Sequence, residues 1–341
     1  MADPGMVVPP EIPPSQSPAP PPTNTVFRGP KGIRAGWRVL LFLALVAAVG
    51  LVIALVVGVI IALIIHRGGA KPTFSLSSLS PGALSLQEGA ILICTVVAAL
   101  IMARIEGRKF EQYGLPLRSA FGKDFWIGIV TGFASISGTL AGIAALGGFR
   151  LEGIATDGPV LARAIVAWSL TFVLVGLAEE FTFRGYLQYT LTTGIGFWPS
   201  AILLSALFGL AHLGNPGEST AGLLSVVMFG LLFCLFLRRR GTLWWAVGFH
   251  AGWDWGQTFF YGVPDSGIPA QHSLFGCSFN GPAWLTGGTV GPEASVFTPI
   301  ALAIVTIVFA NVYPQVRYQV NGQTRPPDLG PQPAEGVGST N

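Results

Sequence analysis

The chain has 341 residues, of which 51% are hydrophobic and 10% charged, and its formal net charge is +3. An ordinary soluble domain carries about 25% charged residues, so a surface of this composition excludes a water-soluble globule and places the chain in lipid as one helical bundle. The modest charge gives no nucleic-acid footprint, and the three cysteines (Cys94, Cys234, Cys277) contain no CxxC pair, which argues against a disulfide framework or a thiolate metal cluster.

In chain order, residues 1–36 are rich in Pro and Ser, as in Pro18-Ala19-Pro20-Pro21-Pro22, and are expected to be a disordered tail. The first apolar run is too late and too long for a secretory signal and is expected to stay in the membrane. Eight runs are candidates to cross ~30 Å of hydrocarbon at 1.5 Å per residue: 39–65, 86–103, 125–146, 159–192, 198–213, 220–237, 242–261 and 297–313. The expected fold class is therefore all-α, a polytopic transmembrane bundle of about eight helices within residues 37–317, followed by a second disordered tail, 318–341. The short run 198–213 reads as a helix buried in the bundle. In the third run, Gly128 to Gly132 and Gly138 to Gly142 make two GxxxG spacings suited to close helix packing. Trp244 and Trp245 read as part of an interfacial aromatic belt.

Basic residues orient the bundle. Arg28, Lys31, Arg34 and Arg38 precede the first run, Arg104, Arg108, Lys109, Arg118 and Lys123 separate the second and third, and Arg238-Arg239-Arg240 follows the sixth. In an eight-helix arrangement these segments share one side, which predicts that both termini are cytoplasmic.

Ionisable groups deep in apolar runs mark the chemistry, because each costs at least ~2.5–3.5 kcal/mol at mid-bilayer. Glu179 and Glu180 are adjacent, and Arg184 lies four residues after Glu180 on the same helix face, where it can neutralise it. Glu179 is turned about 100° away and stays free. His212 follows on the next run. A turn around Gly194-Ile195-Gly196 puts Glu179 and His212 each ~22–24 Å from it in an antiparallel pair, at one depth. His250 and Asp254 share a face four residues apart, with the carboxylate placed to orient the imidazole or to address the same ligand. Glu88 and His66, at run ends, are expected to reach water. The three helices bearing acids and histidines are expected to converge on one wet pocket. Two functions fit such a pocket, a hydrolase and a proton- or ion-coupled transporter, and the chain shows no paired repeat of the kind many transporters have.

Glu179-Glu180-x-x-x-Arg184, Phe208-x-x-x-His212 and His250-x-x-x-Asp254, in that order, resemble the three motifs of the CAAX prenyl protease type II family, also called CPBP or Abi intramembrane proteases. Tyr113-Gly114-Leu115-Pro116 is similar to a further family feature, and the resemblance covers about residues 110–265. It implies an intramembrane endopeptidase, glutamic or metallo, acting on membrane-associated peptides such as prenylated CAAX C-termini or bacteriocin-related peptides, in a bacterial cytoplasmic membrane. It further implies that Glu179 with His212 activates water, that His250 and Asp254 stabilise the oxyanion, and that Glu180 and Arg184 hold the helix. Where such proteins use a metal, Glu179, His212, His250 and Asp254 would be its ligands and zinc the expected ion. An ionised Asp254 cannot donate to an oxyanion, so it must orient His250, be protonated, or bind metal. The resemblance leans to a metal-free mechanism and leaves the oligomeric state open.

Overall fold

The computed structural model describes residues 26–29, 32–67, 79–215, 217–269 and 271–320. Most of both expected tails lies outside them. At its inner edge the first tail carries two paired two-residue strands, β1 (Arg28–Gly29) and β2 (Gly32–Ile33). The second begins with described residues that lie against the bundle, where the Tyr318 amide donates to the Arg238 carbonyl.

Among the described residues, six helical stretches are long and apolar enough to cross a membrane, and the shorter Phe297–Val312 is also apolar. The first two are α1 (Ala35–His66) and α2 (Pro81–Glu106). α1 has the highest mean hydropathy, 3.3, and buries little besides Arg38 and Phe42, as suits a helix facing lipid on most sides. α2 starts where the Ser80 hydroxyl accepts from the Ala83 amide with Pro81 behind it, and stops at Gly107, whose φ of 64° suits a residue without Cβ. Then come α3 (Lys123–Ala145), strand β3 (Phe149–Ile154) and α4 (Gly158–Arg184).

The run expected as one helix over 159–192 breaks at Gly185, whose ψ of −114° is not helical, so α5 (Tyr186–Ile195) is a separate piece. Gly185 sits so close to the Phe181 carbonyl that a side chain there would clash, which is why the break falls on glycine. The remaining helices are α6 (Phe197–Ala211), α7 (Thr220–Arg240) and α8 (Trp244–Asp254), which runs on into a π-helical turn, Trp255–Phe260. Strand β4 (Phe275–Phe279), the single turn α9 (Ala283–Thr286) and α10 (Phe297–Val312) complete the chain.

Glycine sets the central packing. Cβ atoms at Gly128 and Gly132 of α3 would collide with backbone of Trp245 and Phe249, and Cβ atoms at Gly248 and Gly252 of α8 would collide with backbone of Phe125 and Ile129. The first GxxxG spacing is thus half of a reciprocal contact that brings two backbones together and fixes the rotation of the helix bearing His250. The second spacing behaves differently: Gly142 abuts the Phe297 ring of α10, and Gly138 faces open space. α2 packs on α4, with Ser85 Oγ and Thr171 Oγ1 2.8 Å apart. Trp244 and Trp245 do not form the expected belt. They are only 3% and 4% exposed, and Trp244 Nε1 donates to the Pro116 carbonyl at 3.2 Å, because the glycine contact draws α8 into the centre of the bundle.

Residues 261–296 form a structured cover over one end. β4 pairs antiparallel with β3 from Phe149↔Phe279 to Ile154↔Phe275, with a bulge between Leu151 and Gly153. Trp168 Nε1 on α4 donates to the Gln271 carbonyl at 3.0 Å, tying the cover to the bundle.

Candidate active site

α4 and α8 carry the centre. Glu180 and Arg184 are fully buried, and Arg184 Nη1 donates to Glu180 Oε1 at 3.3 Å, the pairing expected from their spacing. The guanidinium carbon lies 4.3 Å from the centre of the Phe208 ring, an aromatic face that takes the place of water around the charge. The same Glu180 oxygen also accepts from His250 Nδ1 at 3.0 Å. Nδ1 of His250 is therefore held by Glu180, on another helix, while Asp254 of its own helix lies beside Nε2. Its ring stacks on Phe233 of α7 at 5.4 Å.

With Nδ1 engaged, Nε2 lies 3.4 Å from Asp254 Oδ2 and 3.7 Å from Glu179 Oε2. Glu179 has the most open side chain of the group, 23% exposed against 0% for Glu180, 12% for His250 and 9% for Asp254. It is the carboxylate that an incoming molecule reaches first. The π-helical turn follows Asp254 directly; such irregular turns cluster at functional sites. Here it swings Thr258 toward the cover, where its hydroxyl donates to Asp265 Oδ2 at 3.0 Å.

His212 is placed differently from expectation. It is not inside a helix but at the C-terminal end of α6, opening a 3-10 turn, His212–Gly214. Gly214 closes that turn and Asn215 follows in extended backbone, so the helix goes no further. Its Nδ1–H donates to the Phe208 carbonyl at 2.8 Å, so a neutral ring presents Nε2 as an acceptor. Among the described residues it makes no ion pair with Glu179. The depth argument that joined these two residues counted across Gly185, where the helix breaks. What brings α4 to α6 is the contact of Phe183 with Phe208, 5.0 Å between ring centres, one turn from Glu179 and from His212 respectively. Asp265 reports on the group from the cover: its carboxyl is raised above the usual range, chiefly by burial, and it feels the charges of Glu179, His250 and His212.

Two contributors were not legible beforehand. Glu88 of α2, expected to reach water, is 3% exposed, its Oε2 has no hydrogen-bond partner, and it lies within electrostatic reach of Glu179 and His250. The polar string Ser85-Leu86-Gln87-Glu88 at the start of an apolar run is the signal that could have raised it. Asp265 had no local signal, since only tertiary folding brings the cover over the centre.

No three His, Cys, Asp or Glu side chains among the described residues are arranged to hold a metal ion. Nδ1 of His250 is taken by Glu180 and Nδ1 of His212 by the Phe208 carbonyl. Both Nε2 atoms stay open, so Glu179, His212, His250 and Asp254 keep donor atoms for a metal, but they are not gathered into a metal-holding group among the described residues, and no step below runs through one. The three cysteines are free.

Residues 161–256 match the family described as Rce1-like, type II CAAX prenyl endopeptidase Rce1-like. The matched stretch contains Glu179, Glu180, Arg184, His212, His250 and Asp254. No curated protein matches the chain.

Proposed function

We propose, from the premise that residues 161–256 belong to the Rce1-like, CPBP family of type II CAAX prenyl endopeptidases, that this integral membrane peptidase cleaves membrane-associated peptides with a carboxylate-activated water. The observation that carries the reading is His250 Nε2 placed between Glu179 and Asp254 while Nδ1 is held by Glu180.

Glu179, the exposed member, takes the proton of the attacking water while His212 assists through its free Nε2, and as the tetrahedral intermediate collapses Glu179 returns that proton to the leaving amine nitrogen and the C–N bond breaks. His250, with protons on both nitrogens, uses three carboxylate neighbours at once, and its Nε2–H is the donor for the oxyanion that forms on the scissile carbonyl. Asp254, directly beside Nε2, holds that proton in place when ionised and donates a second hydrogen bond when protonated. Glu180 and Arg184 touch no reacting atom; they hold His250 and α4 in register. The chemistry needs no metal. The substrate class is a prenylated CAAX tail, whose lipid keeps the scissile bond at the membrane surface. Basic loops put both termini in the cytoplasm.

The test uses purified full-length protein in lipid vesicles with a farnesylated CAAX peptide. Wild type cleaves it, and Glu179→Gln, which keeps shape and removes the base, loses about 10²–10⁴-fold. Full turnover in that variant would remove Glu179 as the base. A chelator leaves the wild-type rate unchanged; loss of activity restored by zinc would replace this mechanism with a metal one.

A further inference from the structure

A cavity lies between α3 and α10, and none of the residues proposed for peptide cleavage lines it. About 570 Å³ in volume, it is lined by Ile127, Thr139, Trp245, Ile304 and Val308 among other mostly apolar groups. Its lining runs from Ile127 to Thr139 on α3 and from Phe297 on α10 to Tyr313 just past its end, which makes it a long trough of about 18–24 Å at 1.5 Å per residue. The volume is within the ~300–1,000 Å³ of small-molecule sites.

Two polar atoms distinguish this trough from an ordinary lipid-facing wall. Thr131 and Ser135 return their hydroxyls to carbonyls of their own helix at 2.8 and 2.7 Å, as polar residues in lipid normally do. Thr139 does not: it is 1% exposed and its Oγ1 has no partner. Trp245 is 4% exposed, and its Nε1, a donor only, also has none. Both line the trough. Positive charge gathers at the end formed by Trp245 and Tyr313. Arg240 lies over the Tyr313 ring at 4.5 Å while pairing with Asp124 at 2.7 Å. Arg239 donates through Nη1 to the Pro314 carbonyl, and its buried Nε has no partner.

We infer that this trough is a binding site for one anionic phospholipid. An acyl chain fills the space beside Gly138, Trp245 Nε1 donates to an ester or phosphate oxygen at the mouth, and Arg239 with Arg240 meets the headgroup charge. The site does not depend on the peptidase reading, because no residue proposed for peptide cleavage lines it.

The test is native mass spectrometry of the full chain in detergent micelles, after incubation with dioleoyl-phosphatidylglycerol or with dioleoyl-phosphatidylcholine. One phosphatidylglycerol is expected to survive transfer to the gas phase, with phosphatidylcholine retained about tenfold less. Gly138→Leu, at a position where added atoms meet nothing, fills the trough and lowers phosphatidylglycerol retention about tenfold. Trp245→Phe keeps the ring and lowers it about fivefold, the worth of one hydrogen bond. Size-exclusion profiles and wild-type peptide cleavage serve as folding controls for Gly138→Leu. Equal retention in wild type and Gly138→Leu, or equal retention of the two lipids, overturns the proposal.

Discussion

Two charge clusters among the described residues, around Glu106 and around Glu180, differ in how completely they are satisfied. At the Glu106 end, Arg38 donates from Nε at 2.9 Å and from Nη2 at 2.5 Å, Arg108 Nε donates at 2.9 Å, and Tyr186 OH at 2.5 Å, all to one carboxylate. Neither Glu106 oxygen is left over. At the Glu180 end, Glu180 Oε2, Arg184 Nε and Arg184 Nη2 are buried with no partner. A satisfied network clamps, here holding α1 to α2 and α5. The second keeps unmet buried groups while it holds His250 through Nδ1, so the contrast is between a closed clamp and an incompletely satisfied one.

The comparison breaks most sharply if the two clusters respond alike to substitution. The largest effect is expected from Glu179→Gln, which loses about 10²–10⁴-fold in cleavage while its melting temperature in detergent stays that of wild type. Next, Arg184→Met breaks a fully buried ion pair and leaves Glu180 held by His250 Nδ1 alone, and is expected to destabilise by about 3–5 kcal/mol, read by denaturant titration. Arg38→Met should lower stability by only about 1–3 kcal/mol, since Arg108 and Tyr186 remain on Glu106, and should leave kcat/KM of the folded fraction unchanged. A large loss of kcat/KM there would erase the distinction between the clusters.

Glu88→Gln sharpens the comparison. Glu88 lies within electrostatic reach of Glu179 and His250, so the amide, which removes its ionisable group, is expected to lower kcat/KM by about threefold to tenfold without loss of stability. The smallest effect concerns the cover. Burial pushes the Glu293 carboxyl well above the usual range, with Asp265 and Asp254 adding to it. A carboxyl raised in the folded state binds more protons folded than unfolded, so stability falls as pH rises above about 4.3 toward the folded value. Hydrogen exchange of residues 262–269 and 271–295, corrected for its intrinsic rate, should therefore quicken as pH rises above about 5. Glu293→Gln should flatten that dependence.

What the sequence by itself determined was local or compositional. Apolar runs longer than the bilayer core must be helices, because backbone groups in lipid have only their own segment to bond. Residues four apart must share a face, hence Glu180 with Arg184 and His250 with Asp254. Only the tertiary structure decided how the faces meet. The glycine contact of α3 with α8 turned His250 toward Glu180, the break at Gly185 replaced the expected depth count, and helix end and cover brought His212 and Asp265 to the centre. Those outcomes depend on contacts between residues far apart in the chain, made by backbone approach and side-chain packing that no periodicity encodes.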